Sequence, residues 1–396
     1  MTSQARRALV AALTLIIITS GSTAISSLFV MYRQHWGLTS ADIAIVFSAY
    51  VGALLPGLLF YGGLAEKYGR RIVSAAGIAS MAIGILLLAL AHDLQWLIIA
   101  RLFQGTGVAL SIGPVSAAFA EAYRGKLPQG NALQSITAVG LFAGPVVSAL
   151  TYDAGSGLNA AFIPGLISVV ALLALVRFLA EPVKSTDTAH VAEEPFPADV
   201  VNRKLRFAMP LVFVSWAGLS LYLSLVPSYI ATTLHAMNPL IGAAAVVAAQ
   251  LSSLVATLLI GNIPPEKSGA WSSAVSVLGL ALLVTGTMTN NWAIIGAATI
   301  LVGAGGGVAS AGAFGIATRV GRGQRARIFA RMFVAAYLGY SVPALLLGAI
   351  AVRTSFATGF ISIIVMLGLI TAALPFVRER ERAATCPAAV PAGASA

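Results

Sequence analysis

Charge is what this chain has least of. Asp, Glu, Lys and Arg together make up 9% of its 396 residues, where a soluble protein needs about a quarter to clothe its surface. That deficit excludes a water-exposed globule. Cysteine is nearly missing as well. Cys386 stands alone, which excludes an intramolecular disulfide and a cysteine metal cluster. The four histidines, His35, His92, His190 and His235, lie far apart without ligand spacing, so neither a metal nor a cofactor is expected. The 13 acidic residues avoid the middle of every apolar run, clustering instead at 181–199, at 379–381 and at run ends. A membrane-embedded enzyme would need clustered acids, bases or metal ligands, so no enzymatic activity is expected.

What is present is apolar length. Hydrophobic residues make up 58% and mean hydropathy is +0.91. Runs of about 20 apolar residues cross a bilayer core. They fall at roughly 8–31, 41–61, 72–92, 96–119, 131–152 and 158–180, then 206–230, 238–261, 269–289, 292–317, 328–352 and 357–377. The runs are continuous and do not alternate, which argues for helices over a β-barrel. The first could imitate a signal peptide, but its length and the spans that follow make it a span. The expected fold class is therefore an all-α polytopic membrane protein with 12 transmembrane helices. Residues 1–180 form one six-helix half and 206–377 the other, joined by a polar linker at 181–205. A tail at 378–396 is expected to be disordered.

The net charge of +11 could suggest nucleic acid, but its placement explains it otherwise. With the N-terminus in the cytoplasm, all 24 Lys and Arg fall on the cytoplasmic side except Arg33, Arg353 and the intramembrane Arg101. That is the positive-inside bias, with both termini cytoplasmic. No nucleic-acid partner is needed; the bilayer is the expected surroundings. The halves also match at an offset of 200 residues: EKYG at 66–69 with EKSG at 266–269, GTGVA at 105–109 with GGGVA at 305–309, and His35 with His235. Two six-helix repeats about an axis normal to the membrane follow.

Three stretches carry more. GGLAEKYGRR at 62–71 sets Gly62, Leu64, Ala65, Glu66, Lys67, Gly69, Arg70 and Arg71 between two apolar spans. Gly62 permits close helix approach, and Gly69 a turn that other residues resist. RLFQGTGVA at 101–109 buries Arg101 in a span, an expensive placement that marks either function or a side chain snorkelling to the interface. Gly105 and Gly107 suit tight helix packing. GLFAGPVVSA at 140–149 offers Gly140 and Gly144 for a close crossing and Pro145 for a kink.

These features together resemble the major facilitator superfamily, over about residues 8–377. The corner follows the family pattern G-x-L-a-D-r-x-G-r-r, with Glu66 in place of the usual Asp. The resemblance implies an inner gate: Glu66 facing the start of span 11 near Ile328–Met332, and Arg70 reaching Glu121. The Arg101 stretch resembles the span-4 pattern R-x-x-q-G-x-g-a, whose arginine is tied to proton handling. The third stretch partly matches the span-5 pattern of drug antiporters, with Ser148 and Ala149 replacing its final glycines. The family's cation pumps keep an acid at mid-membrane, and this chain does not. Asp42 is the substitute to weigh for proton coupling, although Thr39 and Asp42 also read as a helix cap.

The cavity must then be lined by uncharged groups. Candidates are Tyr32, Tyr50, Gln134, Trp216, Tyr222, Gln250, Tyr337 and Tyr340, beside Thr19, Ser22, Ser26, Ser220 and Ser253. The resemblance implies a monomeric secondary transporter of the bacterial inner membrane working by alternating access. Its expected partners are protons and a small neutral or anionic amphipathic compound, which is exported. Import or facilitated passage of a sugar, organic acid or other metabolite is the alternative.

Overall fold

The computed structural model describes residues 3–61, 64–123, 129–156, 196–235, 238–260, 263, 265–320 and 325–385. The sixth expected span at 158–180, most of the linker, and the tail from Cys386 onward lie outside them. Among the described residues there is no strand, and 11 helices are long and apolar enough to cross a membrane.

The first span is a broken helix. α1 (Ser3–Thr23) passes through a 3-10 turn, Ala24–Leu28, into α2 (Phe29–Trp36). Gly37, at φ 62°, then ends it in the left-handed region. α3 (Ser40–Phe60) opens with a capping box: the Thr39 hydroxyl accepts from the Asp42 amide, and the Asp42 carboxylate accepts from the Thr39 amide. The short α4 (Leu64–Tyr68), α5 (Arg70–Ala89), α6 (Leu94–Ala122) and α7 (Gln129–Thr151) complete the described part of this half. The Asp93 carboxylate caps α6 by accepting from the Trp96 amide at 3.0 Å.

The second half repeats the plan. α8 (Ala198–Ser224) breaks into α9 (Val226–Thr233), with Pro227 at the break, matching the broken first span. α10 (Pro239–Ile260), α11 (Pro265–Met288), α12 (Trp292–Val320), α13 (Arg325–Arg353) and α14 (Phe356–Thr385) follow. Two boundaries differ from expectation. α8 starts inside the region assigned to the linker, because Pro197 opens it and Asp199 pairs with Arg203 one turn on at 3.0 Å. α14 carries the helix through the RERER stretch to Thr385 instead of ending at 377, since Glu, Arg and Ala are strong helix formers.

We call the end bearing Lys67, Arg70 and Arg71 the basic end and the opposite one the far end. The helices approach closely because glycine removes a side chain. A Cβ on Gly77 would lie 2.7 Å from the Gly107 carbonyl, and one on Gly107 equally close to the Gly77 carbonyl, which seats α5 on α6. The same contacts refine the repeat. Gly105 faces the Tyr50 carbonyl of α3 as Gly303 faces the Ala249 carbonyl of α10, and Gly107 faces α5 as Gly305 faces α11. Both pairs are 198 residues apart, so the offset of 200 is out of structural register by two here. The run of small residues in GGGVA allowed the false alignment.

The larger buried apolar cluster joins both halves, and several contacts across the seam lie at the far end. A Cβ on Gly348 of α13 would meet the Ala44 Cβ at 2.7 Å and the Ser40 carbonyl at 2.8 Å, both on α3. Val30 and Met31 of α2 pack with Ala231 of α9. The Arg33 guanidinium lies 5.1 Å over the Phe356 ring. Towards the basic end, by contrast, the cluster of Val201, Leu205, Ile316, Ile328 and Met332 is, among the described residues, built from the second half alone.

Candidate functional site

The corner at the basic end is set by its backbone. Gly69 has φ 87° and ψ 143°, a conformation side chains resist, and it turns the chain from α4 into α5. Arg70, first residue of α5, then meets the end of α6. Its Nη1 and Nη2 donate to Oε2 and Oε1 of Glu121, both at 2.7 Å, in a planar two-point fork. Donation from Arg70 holds the Glu121 carboxyl below its usual range. The Lys67 ammonium sits 5.1 Å over the Tyr68 ring, and Lys67 and Arg71 are exposed. Gly62 and the Glu66 side chain lie outside the described residues. Ile328 and Met332, where the inner gate is expected to close, are buried against α8 and α12 of their own half.

Arg101 lies deep in the bundle, only 2% exposed. This corrects the snorkelling alternative: the side chain turns inward because a better partner lies there. α1 ends at Thr23, so its last carbonyls carry the negative end of the helix dipole. Nη1 of Arg101 donates to one of them, Ser22 O, at 2.7 Å, and to Gln104 Oε1 at 2.8 Å. The guanidinium carbon is 4.5 Å from the Tyr50 ring centre, a cation–π contact. Gly105 makes this possible, since any Cβ there would strike the Tyr50 carbonyl and push α3 away. Nε of Arg101 is buried with no hydrogen-bond partner. Among the described residues no carboxylate pairs with it. The place 198 residues on is Thr299, which accepts a hydrogen bond from the Tyr222 hydroxyl at 3.1 Å. The second half has a neutral pair where the first has a charge.

Facing Arg101 across the seam is a wall of rings. Tyr340 of α13 stacks on Phe47 of α3 at 4.7 Å, and Trp216 of α8 meets Tyr337 edge-on at 5.0 Å and Tyr340 at 6.1 Å. The Trp216 indole Nε1 donates to Ser310 Oγ at 3.2 Å. The wall continues along α13 towards the basic end, where Phe333 lies 6.3 Å from Tyr337 and Phe329 lies 6.5 Å from Phe333, with Phe314 of α12 beside both. Sequence reasoning missed Phe47, Phe314, Phe329 and Phe333. The signal was readable in α13, where Phe329, Phe333, Tyr337 and Tyr340 recur at one-turn spacing on one helix face.

The other expected residues are scattered. Tyr32 and Tyr222 are fully packed, 1% and 0% exposed, and do not line an open cavity in this conformation. Tyr32 packs on Trp36, and Tyr222 is tied to Thr299. Gln250 is buried on α10. The Gln134 side chain lies outside the described residues. Asp42, the alternative for proton coupling, is spent on the cap at the far end of α3. Gly140 and Gly144 seat α7 on α1: a Cβ on Gly140 would strike Thr19 and the Ile16 carbonyl, and one on Gly144 the Ser20 carbonyl. Pro145 sits within α7, which remains helical through to Thr151.

The chain matches the family model described as Major Facilitator Superfamily over residues 11–263. The 3-(3-hydroxy-phenyl)propionate transporter of Escherichia coli (strain K12) is 30% identical over 151 residues, 37% of each chain. The quinolone resistance protein NorA of Staphylococcus aureus (strain MSSA476) is 22% identical over 205 residues, 51% of this chain and 52% of that one. The matches thus span about a third to a half of those relatives. Among solved structures, a bacterial homologue of the human lysosomal transporter Spinster, inward-facing and unoccupied, has the same fold. Its TM-score is 0.75 at 12% identity, over 98% of this chain and 100% of that one. An all-helical bundle with a broken first span repeated in the second half, and a family model covering well over half the chain, lead to one conclusion: this protein is an integral membrane protein of the Major Facilitator Superfamily of transporters.

Proposed function

We propose that the protein is a secondary transporter that works by alternating access and exports a small neutral or anionic amphipathic organic compound in exchange for protons. The observation that carries this reading is Arg101. A buried guanidinium held by two neutral oxygens and one ring, with no carboxylate beside it among the described residues, is a costly placement in a membrane protein. It keeps its proton at any physiological pH, so its part is to attract an anion or to repel protonation nearby. Packing at the far end, and among the described residues no shared apolar cluster between Ile328–Met332 and the first half, support a state open towards the basic end. Glu66, Lys67, Arg70 and Arg71 would gate that opening when the halves rock. The basic end faces the cytoplasm on the lysine and arginine bias, in the inner membrane of a bacterium, with the protein acting as a monomer.

Export is favoured by the partial span-5 pattern and by the similarity to a quinolone resistance protein. The similarity to a transporter of 3-(3-hydroxy-phenyl)propionate favours a second reading, import or facilitated passage of a small metabolite. Proton movement in proteoliposomes, followed with a pH dye while neutral and anionic compounds are added, separates them. Substrate-dependent proton flux opposite in direction to substrate flux, lost in Arg101→Gln, is expected. Substrate flux without proton movement would sink the antiport reading, and wild-type rates in correctly inserted Arg101→Gln and Glu66→Gln would sink the mechanism.

A further inference from the structure

We propose that Arg101 and the ring wall of α13 form a two-part site for an aromatic monocarboxylate: the guanidinium takes the carboxylate, and Trp216, Tyr337 and Tyr340 take the ring. The site rests on the transport reading above and deepens it by naming the substrate class.

The charge argues for an anion. Nη1 already serves two acceptors, but both are neutral, and Nε is buried without a partner. Neutral oxygens satisfy hydrogen bonds and leave the charge uncompensated, whereas a carboxylate supplies both in a charge-assisted bond. One carboxylate is the match. The counterpart position in the second half is the neutral Thr299–Tyr222 pair, so among the described residues a second carboxylate at this level would find no cation.

The rings argue for an arene. Trp216 stands edge-on to both tyrosines, with interplanar angles of 78° and 67°, so ring edges and faces are both presented at the seam. The indole N–H is turned away to Ser310, which leaves the apolar part of the ring for contact. Burial grades along the wall. Phe329 and Phe333 are half-buried near the basic end, while Tyr337 and Tyr340 are 9% and 8% exposed at the level of Arg101. From Phe329 to Tyr340 the helix climbs about 16 Å. An aromatic molecule entering from the basic end thus meets rings along its way and a cation at the end. A saturated acid would gain the charge and lose the ring contacts; a neutral arene would stack and leave the guanidinium bare.

The test uses the purified full chain in detergent and three probes of one shape: 2-naphthoate, its amide 2-naphthamide, and decahydro-2-naphthoate. Calorimetric titration is expected to show naphthoate binding about tenfold or more tighter than either relative. Arg101→Gln is expected to abolish the preference for naphthoate over its amide, Arg101→Lys to retain part of it, and Tyr337→Leu to weaken naphthoate about tenfold and decahydronaphthoate by less. If the amide or the saturated acid binds wild type as tightly as naphthoate, or if naphthoate does not bind at all, the site proposal is overturned. The three probes on wild type decide this even where a variant does not fold. The transport reading fails separately: selective naphthoate binding that drives no proton movement in vesicles supports the site and removes the antiport. Proton flux on neutral amphipaths without naphthoate selectivity does the reverse.

Discussion

The carbonyl oxygen of Ser22 accepts a 2.7 Å hydrogen bond from Arg101, 79 residues further along the chain. The helix it belongs to ends one residue later and gives way to a 3-10 turn. A continuous first span would aim that oxygen along the helix axis and change the direction of its shortest bond to the guanidinium. Straightening the break is therefore expected to act on Arg101. Ser26→Ala combined with Ser27→Ala adds helix propensity to the 3-10 turn. Transport of the anionic substrate should fall severalfold with little loss of melting temperature, and unchanged transport would detach the break from the site.

Gly105 offers a sharper cut. A methyl there has nowhere to go but into the Tyr50 carbonyl. Gly105→Ala should cost about 1–3 kcal/mol, the usual range for overpacking, and shift the Tyr50 ring off Arg101. Gly113 is the control, since a Cβ there meets nothing within 4 Å. Thermal unfolding in detergent reads the first effect, and flux per inserted molecule reads the second.

Arg70 and Glu121 make the shortest charged contact described, yet it will stabilise little. The Glu121 side chain is 58% exposed, and screened pairs of this kind contribute about 1 kcal/mol or less. A double-mutant cycle with Arg70→Gln and Glu121→Gln should return a coupling of that size. The sign with pH follows from the depressed Glu121 pKa. The contribution is complete above the ordinary glutamate value of about 4.3 and is lost as pH falls through the lower folded value. Melting temperatures of wild type and Glu121→Gln should therefore converge only in acid.

Asp42 separates two roles. As the partner of Thr39 in a cap, its loss to Ala should cost about 1 kcal/mol and leave the pH profile of transport where it was. Thr39→Ala should do much the same. A displaced pH profile in Asp42→Asn, without one in Thr39→Ala, would return the residue to proton coupling.

Gly348 tests which end is shut. Gly348→Leu cannot be fitted against Ser40 and Ala44 without parting α13 from α3. Cysteines placed near the far end of the seam should then react with a membrane-impermeant maleimide faster than in wild type, and equal rates would place the closed end elsewhere.

Much of this was legible in the sequence, and the exceptions share a cause. Helices were readable because apolar length and breaker residues are local. Gly69 and the charged corner were readable because a turn needs its own chemistry. Arg101 stood out because charge in a span is rare. Its partner did not, since Ser22 offers a backbone oxygen, which no side-chain pattern marks. The register of the repeat was misread by two residues because GTGVA matches GGGVA best at an offset of 200, while the contacts of Gly105 with Tyr50 and of Gly303 with Ala249 pair the glycines at 198. α8 and α14 outran their apolar stretches because helix propensity and an Asp199–Arg203 pair do not require a bilayer. The ring spacing on α13 could be counted, but which helix face meets the seam is a property of the assembled bundle.

Phe47 and Tyr340 lie on opposite halves, with their rings 4.7 Å apart and tilted by 23°. The guanidinium belongs to one half and the tryptophan wall to the other. Any rocking that opens the far end must therefore shear this ring pair and change the gap between cation and wall together. With the proposed two-part site the seam would behave as a caliper: a molecule would be gripped at both ends only at the opening that matches its own length, and substrates differing by one methylene would favour different angles between the halves.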